Sequence, residues 1–281
     1  MLINARIQAL TPEFNVRRVL PFSRAGQTRR HIGYFVFLDH MGPAELDGYM
    51  YVGEHPHIGL ATATYLFEGE VRHKDLIGSN QVICEGEFNL MTAGEWITHS
   101  EEGLTHEIHG LQLWLALPLE EEECAPKFQH YEGDDVPSWE IAKGVKAQLL
   151  MGRYQDRRAN VDFPARALCM VIDSSTSQRV PLTLDLSERE LGLYVVEGTV
   201  TLEEHGSLQP GQLLVLDQPS DGSLSRLDLE LGPGARVAFF GGDPLDKPRL
   251  MKWNYVASDQ ELIDQAEKRW AEYSKTLNSD S

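Results

Sequence analysis

Cysteine is scarce in this chain: three residues among 281, Cys84, Cys124 and Cys169, far apart and with no CxxC pair. An odd, scattered set excludes a disulfide framework and a zinc ribbon, and is expected to leave free thiols in a reducing compartment. Long apolar runs are missing as well. No stretch reaches the ~18 residues needed to span a membrane. The N-terminus MLINARIQALTPEFNVRRVLPF lacks a basic leader feeding an apolar core, and lacks a small-residue cleavage site. The expected location is cytoplasmic, with no membrane partner. Positive charge is in deficit: 25 Lys and Arg against 43 Asp and Glu, a net charge of −18. Acidic runs at 120–123 and 132–135 read as solvated surface, and such a surface repels phosphate backbones, so nucleic acid is not an expected partner. Helical periodicity is also nearly absent before residue 258.

What is there is β-structure. Leu111, Leu113, Leu115 and Leu117 alternate with Gln112, Trp114 and Ala116, the period of two that marks a strand. Short runs at 63–67, 147–151, 191–196, 212–216 and 236–240 read the same way. Many short strands between Gly, Pro, Asp and Asn punctuation indicate an all-β sandwich or barrel. A weak internal repeat sharpens this: Tyr65-Leu-Phe-Glu-Gly-Glu-Val71 is echoed by Tyr194-Val-Val-Glu-Gly-Thr-Val200, each followed by a Gly turn at Gly86 or Gly211. Two copies of one β-unit imply a pseudo-symmetric pair of barrels joined within 118–137. At the C-terminus Ser258-Asp-Gln-Glu261 has capping-box spacing. Leu262, Ala266, Trp270 and Tyr273 then share a helical face, as for a helix packed on a barrel.

The chemistry is concentrated in two short pairs, His55-Pro-His57 and His99-Ser-Glu101. In a strand, residues two apart point the same way, so two such pairs on neighbouring strands can converge on one metal ion. Pro56 lacks an amide donor, which predicts an edge or bulged strand. A nitrogen-rich, sulfur-free set suits Fe(II), Ni, Cu or Zn better than Mg or Ca. The repeat supplies a control: the positions matching His55 and His57 are Leu184 and Leu186, and those matching His99 and Glu101 are Leu224 and Arg226. One barrel is therefore expected to bind metal and the other to be a scaffold. His40, His73, His106 and His109 read as surface or turn residues, with His40 and His73 in a position to line or support the site.

The string from Gly53 through Glu-His55-Pro-His57-Ile-Gly59 to Tyr65-Leu-Phe-Glu-Gly69 and His73-Lys-Asp75, followed by Met91-Thr-Ala-Gly94-Glu-Trp-Ile-Thr-His99-Ser-Glu101, resembles the pirin family of bicupins. Phe37-Leu-Asp-His40-Met-Gly-Pro43 and Gly241-Gly-Asp-Pro-Leu245 add to the resemblance, which is dense over 30–117 and thinner beyond. It implies two cupin (jelly-roll) barrels packed together: a metal-binding one over 1–125, a metal-free one over 126–245, and a C-terminal helical extension over 246–281. It also implies ligands His55, His57, His99 and Glu101 for one divalent ion, Fe(II) first, with Ni, Cu, Co, Mn or Zn as alternatives. Two departures stand out. Ala61 replaces the glutamate that many cupins use as a ligand, so the carboxylate falls to Glu101, and Ile58 replaces a frequent arginine at the pocket rim.

Three neutral imidazoles and one carboxylate leave a divalent ion with a formal charge of about +1, which favours an anionic oxygen ligand. Some pirins resemble quercetin 2,3-dioxygenases, in which a flavonol reacts with O2, the ring opens and carbon monoxide leaves. The expected function is therefore a dioxygenase acting on a flavonol or another enolic or polyphenolic small molecule, with Glu101 as proton acceptor and the protein a monomer. The alternative is a non-catalytic iron-binding regulator acting through protein contacts, and a zinc hydrolase is chemically possible.

Overall fold

Alternating burial dictates the architecture. Leu111, Leu113, Leu115 and Leu117 are all buried, and the first three sit in strand Glu107–Ala116 at the heart of a seven-stranded sheet. A computed structural model describes residues 1–12, 14–24, 27–45, 49–184, 189–216 and 225–277. Each of the other short runs read from the sequence also lies within a strand: Leu60–Glu68, Val145–Met151, Glu190–Glu197, Gln212–Leu216 and Ala235–Gly242.

Two seven-stranded sheets and two four-stranded sheets build two barrels of matching plan. The first large sheet runs Lys127–Tyr131, Phe88–Thr92, Leu60–Glu68, Glu107–Ala116, Phe35–Glu45, Asn15–Leu20, Arg6–Ala9. The second runs Leu2–Asn4, Gln212–Leu216, Glu190–Glu197, Ala235–Gly242, Ala167–Ser174, Val145–Met151, Ser138–Ala142. Tyr65 and Tyr194 thus occupy equivalent strands, as the repeat requires. The stretch 118–137 is more than a connector, because it supplies the edge strand Lys127–Tyr131 to the first sheet. Conversely, Leu2–Asn4 at the N-terminus pairs with Gln212–Leu216 of the second.

The large sheets pack face to face. Leu38, Ala63, Phe88 and Leu113 from one meet Val171, Tyr194 and Phe240 from the other in a single apolar cluster. The interiors differ. Leucines, valines and Phe239 fill the second barrel as one cluster that includes Leu184 and Leu229. The first barrel holds two smaller clusters, one around Phe37, Leu60 and Trp114 and one around Met41, Leu66 and Ile108. Leu184 is buried among apolar neighbours and Arg226 is exposed and paired with Asp228, so neither serves a polar site. Leu186 and Leu224 lie outside the described residues.

Helix Gln260–Leu277 docks through Ile263 and Ala266 onto Ile58, Trp96 and Tyr255. Its start differs from the capping-box expectation. The Glu261 amide donates to Asp259 Oδ1 at 2.9 Å, so Asp259 caps the helix. Ser258 instead gives both its amide and its hydroxyl to Glu122, each at 2.6 Å. Glu122 is buried, so the acidic run 120–123 is not wholly solvated surface. No helix among the described residues is long and apolar enough to cross a membrane.

His40 and His109 are not surface residues either: both are buried between the barrels. The reason is a hydrogen-bonded chain across the interface. His40 Nδ1 lies 2.8 Å from Tyr194 Oη, and its Nε2 lies 2.9 Å from His109 Nε2. Burial, with Arg236 and Arg17 nearby, holds His109 down at about 4, and burial followed by His109 itself lowers His40 well below the usual imidazole range. Both rings are therefore neutral in the fold and charge on unfolding in mild acid. Their stabilising contribution is complete above the ordinary value of 6.5 and is lost as pH falls from there towards 4. Urea unfolding should show stability declining over that window. The double variant His40→Gln/His109→Gln should have a shallower slope, by up to about 1.4 kcal/mol per pH unit for each histidine removed. Parallel slopes would mean that the pair carries no proton linkage.

Candidate metal centre

The small sheet of the first barrel runs Asn80–Ile83, Val71–Asp75, Ile97–Gly103, Tyr51–His57. The Pro56 strand is its edge, where a missing amide costs no ladder bond. His99 lies opposite His55 on one side and opposite Asp75 on the other. Between His99 and Glu101 the pairing slips: Glu101 faces Val52, so three residue steps on the edge strand match two on its neighbour. Such a bulge turns side chains at a strand end without breaking the sheet.

The turn brings three imidazoles together. His55, His57 and His99 each offer a nitrogen within 4.8 Å of the others. His57 and His99 are buried at 0% and 2% exposure, and their Nε2 atoms stand 3.1 Å apart. Glu101 groups with His99 and His73 under the same 4.8 Å limit, and it lines the same cavity as His55, His57 and His99. All four residues singled out in the sequence therefore reach one cavity, but the carboxylate stands nearest His99 and His73.

Proton positions decide what the site can hold. His55 Nδ1 is 2.8 Å from the Gly53 carbonyl, and His57 Nδ1 is 3.0 Å from that of Asn254. A carbonyl only accepts, so each Nδ1 carries the proton and each Nε2 keeps a lone pair. The Asn254 carbonyl is presented by the turn between Leu250–Lys252 and Tyr255–Ala257, where Trp253 takes a left-handed φ of 53°. Burial is the leading cause that lowers the basicity of all three rings, and the crowding of the imidazoles adds to it for His57 and His99. Burial also pushes the Glu101 carboxyl up to about 7. Lone pairs of neutral, buried imidazoles converging with a carboxylate beside them form a donor set that a divalent cation would satisfy.

The cavity has a volume of about 520 Å3 and opens between Arg6–Ala9 and the Trp253 turn. One wall is an aromatic slab. Trp114 stacks on Phe37 at 4.0 Å and meets the His57 ring edge-on at 5.1 Å. The Arg18 guanidinium lies 4.3 Å over Phe37 and binds Asp39 through two bonds of 2.7 and 2.6 Å. Leu10 and Trp253 form an exposed apolar rim, 37% and 54% accessible.

Residues 13–115 match the Pirin family, and residues 171–275 match the Pirin C-terminal cupin domain. The chain belongs to the pirin family. It is 39% identical over 275 residues, 96% of its own length and 83% of the relative's, to the Pseudomonas aeruginosa protein PA1205, provisionally named a quercetin 2,3-dioxygenase. A crystal structure titled quercetin 2,3-dioxygenase from Acinetobacter baumannii superposes with a TM-score of 0.86 at 31% identity, covering 97% of this pirin and 88% of that protein. The Escherichia coli pirin YhhW, solved in complex with nickel(II), shares the fold at a TM-score of 0.65 and 19% identity, over 87% and 99% of the two chains.

The pirin site also contains His73, expected as a surface or turn residue in a position to line or support the site, and here buried against it. His73 is 5% exposed, with one nitrogen 3.3 Å from His99 and the other 3.0 Å from Asp75. The available signal was a third pair with the same spacing, His73-Lys-Asp75, on the strand beside His99. The three cysteines are free, and burial is the leading cause that raises each thiol, Cys169 to about 12, so none is a poised nucleophile.

Asp39 tests how the wall is held. Burial raises its carboxyl while Arg18 opposes the rise. Arg18→Met should destabilise the protein by about 3 kcal/mol, because it strands a charge 3% exposed. Adding Asp39→Asn should recover most of that loss in chemical denaturation. Equal stability of the single variant and the parent would show that the pair contributes nothing net.

Proposed function

We propose that this pirin binds one divalent metal ion through His55, His57, His99 and Glu101, and is a dioxygenase of the quercetin 2,3-dioxygenase type acting on flavonols or other enolic polyphenols. The observation that carries this is the convergence of His55, His57 and His99, with Nε2 lone pairs on the first two and Glu101 grouped with His99 in the same aromatic-walled cavity. Similarity to the Pseudomonas and Acinetobacter proteins named for this reaction supports it. A bound divalent ion would supply a Lewis acid that anchors an anionic oxygen of the substrate.

The chain's own residues supply the rest. A volume of about 520 Å3 is ample for a three-ring polyphenol. The flat face of Trp114, backed by Phe37, offers a stacking surface parallel to a planar ring system. Glu101, the carboxyl group lining the cavity beside His99, would accept a phenolic or enolic proton and release it afterwards. The rim of Leu10 and Trp253 guides an apolar ring inwards, and the buried Arg18–Asp39 pair keeps the wall rigid. Iron is the ion we favour. The Escherichia coli relative was solved with nickel(II), which supports a divalent ion without selecting iron, so the test begins with the metal.

Protein purified without added metal should contain close to one equivalent of a transition ion by elemental analysis, and should bleach quercetin in air with release of carbon monoxide. His57→Ala should abolish metal retention. Glu101→Gln should lower turnover more than ~100-fold. Stoichiometric metal with no turnover of any flavonol would replace this function with a non-catalytic metal-binding role, and zinc with esterase activity would replace it with a hydrolase.

A further inference from the structure

Two of the three clustered histidines have their tautomer fixed by a backbone carbonyl, but His99 has none. Its Nδ1 faces another imidazole nitrogen, His73 Nδ1, at 3.3 Å, with the ring centroids 5.0 Å apart. Two such nitrogens can share a hydrogen bond only if one is protonated and the other is not. The far side of His73 decides which. Its Nε2 lies 3.0 Å from Asp75 Oδ2, and a carboxylate oxygen accepts, so the proton of neutral His73 sits on Nε2. His73 Nδ1 is then a lone pair, and the shared hydrogen must come from His99. With its proton on Nδ1, His99 is left with a lone pair on Nε2, so its 3.1 Å contact with the Nε2 lone pair of His57 holds no hydrogen and is left for a cation to satisfy.

We infer that Asp75 and His73 are positioning residues that set the tautomer of His99, so that all three Nε2 lone pairs point into the same space. The inference rests on the ligand assignment above for its purpose, but not for its geometry. The relay is anchored at both links. Asp75 has a fully buried side chain whose Oδ1 accepts the Ser79 amide at 2.8 Å, within a turn closed by Gly78 N donating to Asp75 O at 3.1 Å. His73 is stacked on Phe128 at 4.6 Å, which fixes its ring plane. Phe128 lies in the edge strand Lys127–Tyr131, so the stretch between the two halves of the chain helps hold the relay.

The anchoring of Asp75 makes the inference testable by a single-atom change. In Asp75→Asn the one remaining oxygen stays with the Ser79 amide, so the new NH2 group faces His73 Nε2 as a donor. Each proton in the chain must then reverse: His73 becomes protonated on Nδ1, and His99 on Nε2, where its lone pair had been. Long-range 1H–15N correlation spectra of the metal-free protein near neutral pH read these tautomers directly. The parent protein should show His99 protonated on Nδ1, and Asp75→Asn should show it protonated on Nε2 with thermal stability and circular dichroism little changed. Zinc affinity, measured by chelator competition, should drop roughly 10- to 100-fold in Asp75→Asn. In His73→Phe the ring packing is kept but the relay is cut, so His99 should populate both tautomers with an intermediate loss of affinity. A parent spectrum with His99 protonated on Nε2, or an Asp75→Asn spectrum unchanged from it, would overturn the relay. If the parent binds no zinc at all, the metal reading fails while the spectra still decide the relay.

Discussion

A buried imidazole has two nitrogens, and each needs a partner of the right kind. This constraint governs the first barrel. His57, His73 and His99 are all but excluded from solvent, and His55 is partly so. Gly53, Asn254 and Asp75 supply acceptors for three of the outward nitrogens, and His73 accepts from the fourth. What remains is a set of inward nitrogens of His55, His57 and His99 within 4.8 Å of one another, those of His57 and His99 at 3.1 Å. A buried nitrogen left unsatisfied costs about 1–3 kcal/mol, and a cation in their midst would remove that cost.

The two barrels show how one plan can carry or omit such a site. Their sheets correspond strand for strand, yet the second interior is closed by a continuous apolar cluster that includes Leu182, Leu184, Leu229 and Leu231. In the first, apolar packing is divided into two smaller clusters, and Phe37, Trp114 and Met41 from them line the cavity that holds the histidines. The interface follows the same imidazole rule for a structural purpose. His40, His109 and Tyr194 are joined there by hydrogen bonds to one another.

The repeat, the strand-rich fold, the C-terminal helix and both His/Glu pairs were legible in the sequence because each depends on spacing within one strand or helix. The sequence does not display what depends on pairing between distant strands. His73-Lys-Asp75 has the same spacing as His55-Pro-His57. Its importance appears only when the register sets Asp75 opposite His99 and His73 opposite Glu101. His40 and His109 read as surface residues because their partner, Tyr194, is 154 positions from His40. Glu122 was hidden in an acidic run, and nothing local to it announces that Ser258 and Arg249 close over it. The cap moved from Ser258 to Asp259 for the same reason, since Glu122 claims both the amide and the hydroxyl of Ser258.

The C-terminal segment is accordingly part of the site rather than a lid on it. His57 takes its proton position from Asn254, and Glu54, next to His55, receives Thr98 Oγ1 at 2.6 Å and Tyr273 Oη at 2.7 Å through the same oxygen. One bond comes from the neighbouring metal-facing strand and the other from the helix, so the helix braces both strands at once. The hairpin and helix dock through these contacts, through the Ile58–Trp96–Ile263 cluster, through Val256 beside Leu60 and Trp114, and through Ser258 on Glu122, so the seat of Asn254 beneath His57 depends on all of them. Any cation held by His57 would therefore be thermodynamically linked to the docking of the segment that carries Asn254, although most of that segment lies outside the cavity.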